Sequence, residues 1–491
     1  NRAFLRSWAF AKMEQKFDEL MAAVAQEVRS KIEVFEPQNL SNTAWAFAAL
    51  RIEDAQLMHV LAGKIFQKIN LCSCRDLASI SWSFARLHLE NAQLLATMSC
   101  AVHDRVVEFE VKGLSNTIWA FAVLSMQDEP VMFDLAEAVL QKIRQCRSER
   151  SAKIEDLATD LNGLTWAMER VSFLTGTFAA TLLDFMQHLG RAKDIEMAGP
   201  HRPPPAKIES VGPEDHPGED PLLRLDLPDM CCVHKPAGWE VDNEDAGGGP
   251  WMSSWLMQRF PFDSVPIVHY EEHQFGLVQR LDIPSSGLIL VGKTWEGFYT
   301  LKFQLQTGLL VREYVLLVHG WVALDGKINE KSFAANASRS GAPAPGLLRV
   351  VAHLRRDSES EEQKFSLVLL QVTKSRRGEL RQHFVGAGHP TVADGKYSER
   401  DAYLRDREWC ARKFMHCFRL QWRDSQAQSQ EYLESLPKDL RSSLAVLDPC
   451  SRESAEAVRP WVEGHAPRPW ERTPGLQNLR SAGGRADGAC S

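Results

Sequence analysis

The sequence predicts two folds in one chain: an all-α solenoid of helical repeats over residues 1–189, then an α+β domain over residues 222–447 built on a mixed, largely antiparallel sheet. Three observations carry this. Trp8, Trp45, Trp82 and Trp119 stand 37 residues apart, and Trp166 follows after 47. Residues 190–221 lose all apolar periodicity and fill with proline and mixed charge, the composition of a semi-stiff linker. Beyond them, short apolar and β-branched runs alternate with Gly, Pro and Ser turns, which reads as strands. Residues 448–491 hold Gly, Arg and Ser without period and are expected to be disordered.

Each repeat reads as two helices. The words NLSNTAWAFAAL (from Asn39), DLASISWSFARL (from Asp76) and GLSNTIWAFAVL (from Gly113) align, and such internal identity signals stacked supersecondary units. Leu40, Ala44, Phe47 and Ala48 fall on one helical face, with Ser41 or Asn42 as the expected cap. A second helix from about Asp54 to Ile69 carries Leu57, Val60, Leu61 and Ile65. The longer interval before Trp166 fits an insertion near residues 147–153. The tryptophans have two readings, as stacking platforms for bases or as core residues between units; a large aromatic at a fixed place favours core.

A chain of 491 residues can bury more than one core. No apolar run reaches membrane-span length, so no membrane partner is expected. A net charge of −7 excludes a globally basic nucleic-acid binder and confines any such contact to local patches. Ten cysteines without a C-x-x-C pair form neither a zinc framework nor a secreted disulfide scaffold, so reduced thiols in an intracellular compartment are expected. The chain begins inside a repeat and is expected to be a fragment, from which a targeting segment can be missing.

In the second domain, an apolar strand from Cys231 ends in Lys235-Pro236-Ala237-Gly238, and residues 250–260 read as a short amphipathic helix. The stretch FGLVQRLDIPSSGLILVGK (from Phe275) reads as strand, loop, strand, with Asp282 presented by the loop. Residues 294–306 read as a helix and VREYVLLVHGWV (from Val311) as a strand. Strands 348–354 and 365–372 flank an acidic loop as a hairpin, and residues 333–345 read as a loop. On residue types alone, Asp282 is either a turn cap before Pro284 or a carboxylate held for chemistry.

Blocks along the second domain resemble the RluA-type RNA pseudouridine synthases, in the order that family has them. Arg280, Leu281, Asp282, Ser286 and Gly287 fall on R-L-D-x-x-[ST]-S-G, and Lys235 to Gly238 on K-P-A-G. Tyr314 falls on [KR]-x-Y-x-x-L-V-x-G; KSRRGELRQHFVGAGHPTVADGKYS (from Lys374) supplies Arg376, Leu380, Arg381, His383, Gly388, Pro390, Asp394 and Tyr397 of a third block. His416 and Leu420 fit the closing strand. The resemblance implies an isomerase that converts uridine to pseudouridine in RNA without metal or cofactor. It implies Asp282 as the catalytic carboxylate, Arg381 as its cationic partner and Tyr314 against the uracil. Arg280 is then placed to grip a phosphate or fill the vacated stack, and Lys374, Arg376 and Arg377 form the local basic patch for RNA. Gln279 stands where the family often has His, and Gly378-Glu379 where it has His-Gln; altered substrate choice is the expected consequence.

The repeat words resemble the octotricopeptide and RAP-type organellar RNA-binding repeats. That implies an arm for RNA (rRNA, tRNA or organellar RNA) or for a protein partner, and a plastid or mitochondrial setting with cytoplasm as the alternative. A catalytically silent RNA-binding or scaffold protein keeping the fold is the second reading, against which stand Asp282, Arg381 and Tyr314 together. A glycosidase would need a second carboxylate beside Asp282, which the blocks do not nominate.

Overall fold

The structure is a computed structural model that describes residues 18–126, 128–146, 154–199, 219–241, 250–322, 330–334, 345–357, 362–373 and 379–466. It divides into two compact units, 1–185 and 186–491.

The first unit is helical throughout its described residues. Helix α1 (Asp18–Lys31) is followed by pairs: α2 (Pro37–Ala49) with α3 (Ala55–Lys68), α4 (Cys74–Arg86) with α5 (Ala92–His103), α6 (Val111–Val123) with α7 (Glu129–Cys146), and α8 (Ile154–Arg170) with α9 (Gly176–Met197). First helices pack in one row, α2 on α4 on α6 on α8, and second helices in another, α3 on α5 on α7. The starts are written locally: Asp54 and Asn91, 37 residues apart, each accept a backbone N–H three residues on, at 2.8 and 3.0 Å. Helix α2 instead starts at Pro37 after Glu36, so the expected cap at Ser41 or Asn42 is not used. Ser41 lies inside the helix and donates to Asp76 of the next repeat at 2.6 Å. The proposed insertion at 147–153 lies outside the described residues.

The repeat core differs from the sequence expectation. Leu40, Phe47, Leu77, Phe84, Leu114 and Phe121 are fully buried, whereas Trp45, Trp82, Trp119 and Trp166 are half-buried at the rim. Each phenylalanine follows its tryptophan by two positions, about 200° around a helix, so one of the pair takes the interior and the other the edge. The smaller ring and its alanine neighbours take the interior.

The second unit is built on a ten-stranded sheet. Its path runs β1 (Leu222–Asp226), β2 (Met230–Lys235), β3 (Ser286–Gly292), β8 (Met415–Arg423), β4 (Val311–His319), β7 (Glu362–Val372), β6 (Pro345–Asp357) and β10 (Asp448–Pro449). Strand β5 (Glu330–Ala334) pairs with β6 and β9 (Ser429–Leu433) with β8. All named pairings are antiparallel except β3 with β8. Helices α10 (Met252–Arg259) and α11 (Trp295–Thr307) lie where the sequence placed them; α11 is capped by Thr294 and closed by left-handed Gly308. Helices α12 (Glu379–Gly386), α13 (Arg400–Arg407), α14 (Lys438–Ala445) and α15 (Arg452–Glu463) complete the unit.

Four expectations are corrected. Residues 275–278 are not a strand: residues 271–276 form a kinked 3-10 segment, and only Leu277 bridges Val291. Gln274 and Phe275 take positive φ there, which breaks the extended backbone that a strand needs. Residues 190–197 belong to α9 rather than to the linker. They pack on α11, where Gly190 lies so close to Glu296 that a Cβ would sit 2.4 Å from its Cα, and Asp194 accepts the N–H groups of Trp295 and Glu296 at 2.8 and 3.1 Å. Phe333 and Ala334 end β5, paired with Gly346 and Pro345, so the expected loop begins after them. The expected disordered tail is ordered through residue 466: β10 pairs with β6, and α15 buries Trp461 edge-to-face on Phe418, centroids 5.0 Å apart. A helix with three buried contacts among many charges carries too faint a period to read.

Trp461→Ala is expected to destabilise the second unit by about 3–5 kcal/mol, the cost of a large aromatic cavity. Chemical denaturation would measure it; an unchanged midpoint would mean that the tail is not part of the core.

Candidate active site

The site forms at the sheet's parallel junction. β3 and β8 pair at Ser286 with His416 and Gly287 with Cys417. In a parallel pair both chains enter from the same end, so the loops leading in lie side by side. Asp282 lies four residues before Ser286, and Lys413 three before His416. Accordingly Lys413 Nζ donates to Asp282 Oδ2 at 2.5 Å. Gly287, at φ +124°, makes this junction: a Cβ there would lie 2.3 Å from the Cys417 carbonyl oxygen.

Arg381, in the first turn of α12, places Nη2 3.1 Å from the same Asp282 Oδ2. Its Nη1 is held by both oxygens of buried Asp394, each at 3.1 Å, and its guanidinium lies 4.8 Å from the Tyr397 ring centroid. Two carboxylates and two cations thus neutralise one another out of solvent, with Asp282 13 % exposed and Lys413 2 %. Both cations favour the ionised form of Asp282. Burial pushes Lys413 below the ordinary lysine range, against the pull of Asp282.

The Asp282 loop is gripped from beneath. Lys235, fully buried, donates Nζ to the carbonyls of Pro236, Trp239 and Ile283 at 2.9, 2.8 and 3.3 Å, a donor for each acceptor. The Gly238 N–H also donates to Ile283 O at 2.8 Å. Arg412 donates to Pro284 O and Ser286 Oγ at 3.1 and 2.9 Å and pairs with Asp439 at 2.5 Å. Burial, with His234 and Arg412 nearby, holds His416 well below the usual histidine range, and its Nδ1 shares a hydrogen bond with the Ser286 hydroxyl at 2.9 Å.

The structure brings Asp282 and Arg381 together. Tyr314 sits on β4 opposite Cys417, 4 % exposed. Burial raises its phenol above the ordinary range; Cys417 and Asp282 add to the rise and a hydrogen bond to Arg312 opposes it, so the ring stays neutral. Arg280 is half-buried in the loop. Gln279 is buried, donating to Leu288 O at 3.1 Å, so it ties the loop to β3. Lys374, Arg376, Arg377 and Gly378 lie outside the described residues. The sequence reading missed Lys413 and gave Asp394 and Lys235 no role. The available signal for Lys413 was the basic pair Arg412-Lys413 directly before the His416 strand.

Residues 229–385 match the family model described as RNA pseudouridylate synthase, and residues 5–170 match that of the RNA-editing substrate-binding complex 6 protein. The chain is similar to tRNA pseudouridine synthase C of Salmonella typhi, 26% identical over 212 residues, 40% of this chain and 76% of that protein. Ribosomal large subunit pseudouridine synthase C of Haemophilus influenzae is 26% identical over 203 residues, 39% of this chain and 58% of that protein. Ribosomal large subunit pseudouridine synthase D of Salmonella typhimurium is 27% identical over 189 residues, 37% of this chain and 51% of that protein. The second unit therefore carries a pseudouridine synthase domain, and the protein is an isomerase.

Gly287→Ala is expected to force β3 from β8 and part Lys413 from Asp282. Strain at that φ and the clash should cost about 1–3 kcal/mol or more. A melting temperature equal to that of the unaltered protein would contradict the junction's role.

Proposed function

We propose that this pseudouridine synthase isomerises uridine in RNA through Asp282, with the helical repeats supplying further RNA or partner contacts. The observation that carries the proposal is the Asp282 carboxylate held between Arg381 and Lys413. In the reaction, the uracil leaves C1′ of its ribose, turns, and rejoins through C5. Asp282 begins it either by attacking C1′ or by taking the 2′ proton to give a glycal, and both routes need the carboxylate ionised. The uridine must leave its stack to reach a loop at a sheet junction.

Each neighbour then has a task. Arg381, steered by Asp394, holds Asp282 in one orientation; Lys413 holds the same oxygen from the other side. Tyr314, kept neutral, offers a ring for the uracil and an O–H donor. Arg280 on the loop, with Lys374, Arg376 and Arg377, meets the phosphate backbone. The relatives' names support tRNA or ribosomal RNA as the substrate class. The repeat resemblance is the ground for proposing an organelle as its place. Among the described residues no helix is long and apolar enough to cross a membrane.

Asp282→Asn should fold and leave no pseudouridine at any site that the unaltered chain modifies, read by site-resolved mapping of RNA exposed to each. Conversion by the variant would end the proposal; RNA binding without conversion by either protein would favour a silent RNA-binding fold.

The lowered lysine adds a pH dependence. As pH rises through the depressed Lys413 value, the ammonium loses its proton and Asp282 loses one of two cations, so turnover should fall on the alkaline side. Lys413→Arg, charged throughout, should move that fall to higher pH. Identical profiles would show that Lys413 does not set it.

A further inference from the structure

The repeat tryptophans are left over once the core is assigned to leucine and phenylalanine. They follow one another along the row of first helices: Trp82 and Trp119 have ring centroids 6.4 Å apart with planes tilted by 33°. Arg170 lies 5.7 Å from the ring centroid of Trp166.

The same stripe continues two turns before each tryptophan and one turn after it, because positions three and four apart share a face. Seven residues before the tryptophans stand exposed Gln38, Arg75, Lys112 and Thr159. Three before them stand half-buried Asn42, Ser79, Asn116 and Gly163; four after them stand half-buried Ala49, Arg86, Val123 and Arg170. No position in these rows is acidic, in a chain whose net charge is −7. Asp76, nearby on α4, is bound by Ser41 and Ser73.

A second observation points to an anion. Arg86 has its Nε buried with no hydrogen-bond partner among the described residues, and burial, with the charge of Arg51 from the neighbouring repeat adding to it, disfavours its charged form. A guanidinium nitrogen buried without a partner is costly unless another group meets it, and a phosphate fits the guanidinium fork.

We propose that this stripe is a track for single-stranded RNA, with bases stacking on Trp45, Trp82, Trp119 and Trp166 and the backbone running over Arg51, Arg86, Arg75 and Lys112. Aromatic platforms interleaved with cations are how proteins hold single strands irrespective of sequence, since every base has a π-face. Small polar side chains such as Asn42, Ser79 and Asn116 leave room beside each ring and offer hydrogen bonds to base edges. The inference rests on the RNA-directed reading of the chain, yet it concerns binding and not the chemistry at Asp282. The track would gather the unpaired strand around a target uridine.

The test uses the full chain carrying Asp282→Asn, so that no conversion intervenes, and an unstructured RNA oligonucleotide of about 15 nucleotides. Adding Trp82→Ala or Trp119→Ala should weaken binding by about 5- to 150-fold each, the span expected for a lost stack. Trp119→Phe should retain most of the affinity. Arg86→Gln should make the logarithmic salt dependence shallower by about 0.7, one phosphate on a single strand. If an alanine variant melts early, the exposed reversals Arg75→Glu and Lys112→Glu decide the matter and should weaken binding at least tenfold. Affinity and salt slope unchanged across these variants would overturn the track. So would variants that bind RNA normally while losing a protein partner, which would make the stripe a protein surface. Pseudouridine formation by the unaltered chain is read separately, so failure of the track and failure of the synthase reading give different patterns.

Discussion

A carboxylate can be kept both ionised and out of water only if cations meet it there, and the second unit is arranged around that constraint. Asp394, Arg381, Asp282 and Lys413 form an alternating chain of charge, with contacts of 3.1, 3.1 and 2.5 Å. Its members come from four separate segments, so no local sequence could supply the balance. Removing a single member would strand an opposite charge in a dry site, which is more costly than never having buried the group.

The sheet makes this chain of charge geometrically possible. An all-antiparallel order would deliver the loops before β3 and β8 to opposite ends of the sheet. The short parallel contact, admitted by the missing side chain at Gly287, delivers them to the same end. Lys235 and Arg412 then fix the loop by its carbonyls, so Asp282 is held through its backbone as well as through its charge. Such double support keeps the carboxylate in place without help from any bound molecule.

The first unit solves a different problem with a short repeated word. Two aromatic residues two positions apart must face opposite sides of a helix, and in three described repeats Phe47, Phe84 and Phe121 are interior while Trp45, Trp82 and Trp119 are at the rim; Met168 takes the interior place after Trp166. The preference for tryptophan in cores is a statement about averages. Here the larger ring sits at the rim, and Arg170 lies 5.7 Å from the ring centroid of Trp166.

Sequence alone determined what is periodic or local. The 37-residue interval and the helix pairs were legible because each repeat buries the same face, and the caps at Asp54 and Asn91 because a cap is a four-residue event. The nearness of Asp282 to Arg381 and the strand after Asp282 were legible as family words. Tertiary structure decided the rest, because the deciding contacts are between segments far apart in the chain. Lys413 looked like a charge at a strand's edge until parallel pairing set it against a residue 131 positions away. The tail looked disordered until Trp461 found Phe418, and residues 275–278 looked like a strand although the kink at Gln274 and Phe275 leaves Leu277 alone to bridge β3. Pairing partners and available edges belong to the assembled sheet, and no stretch of sequence carries them by itself.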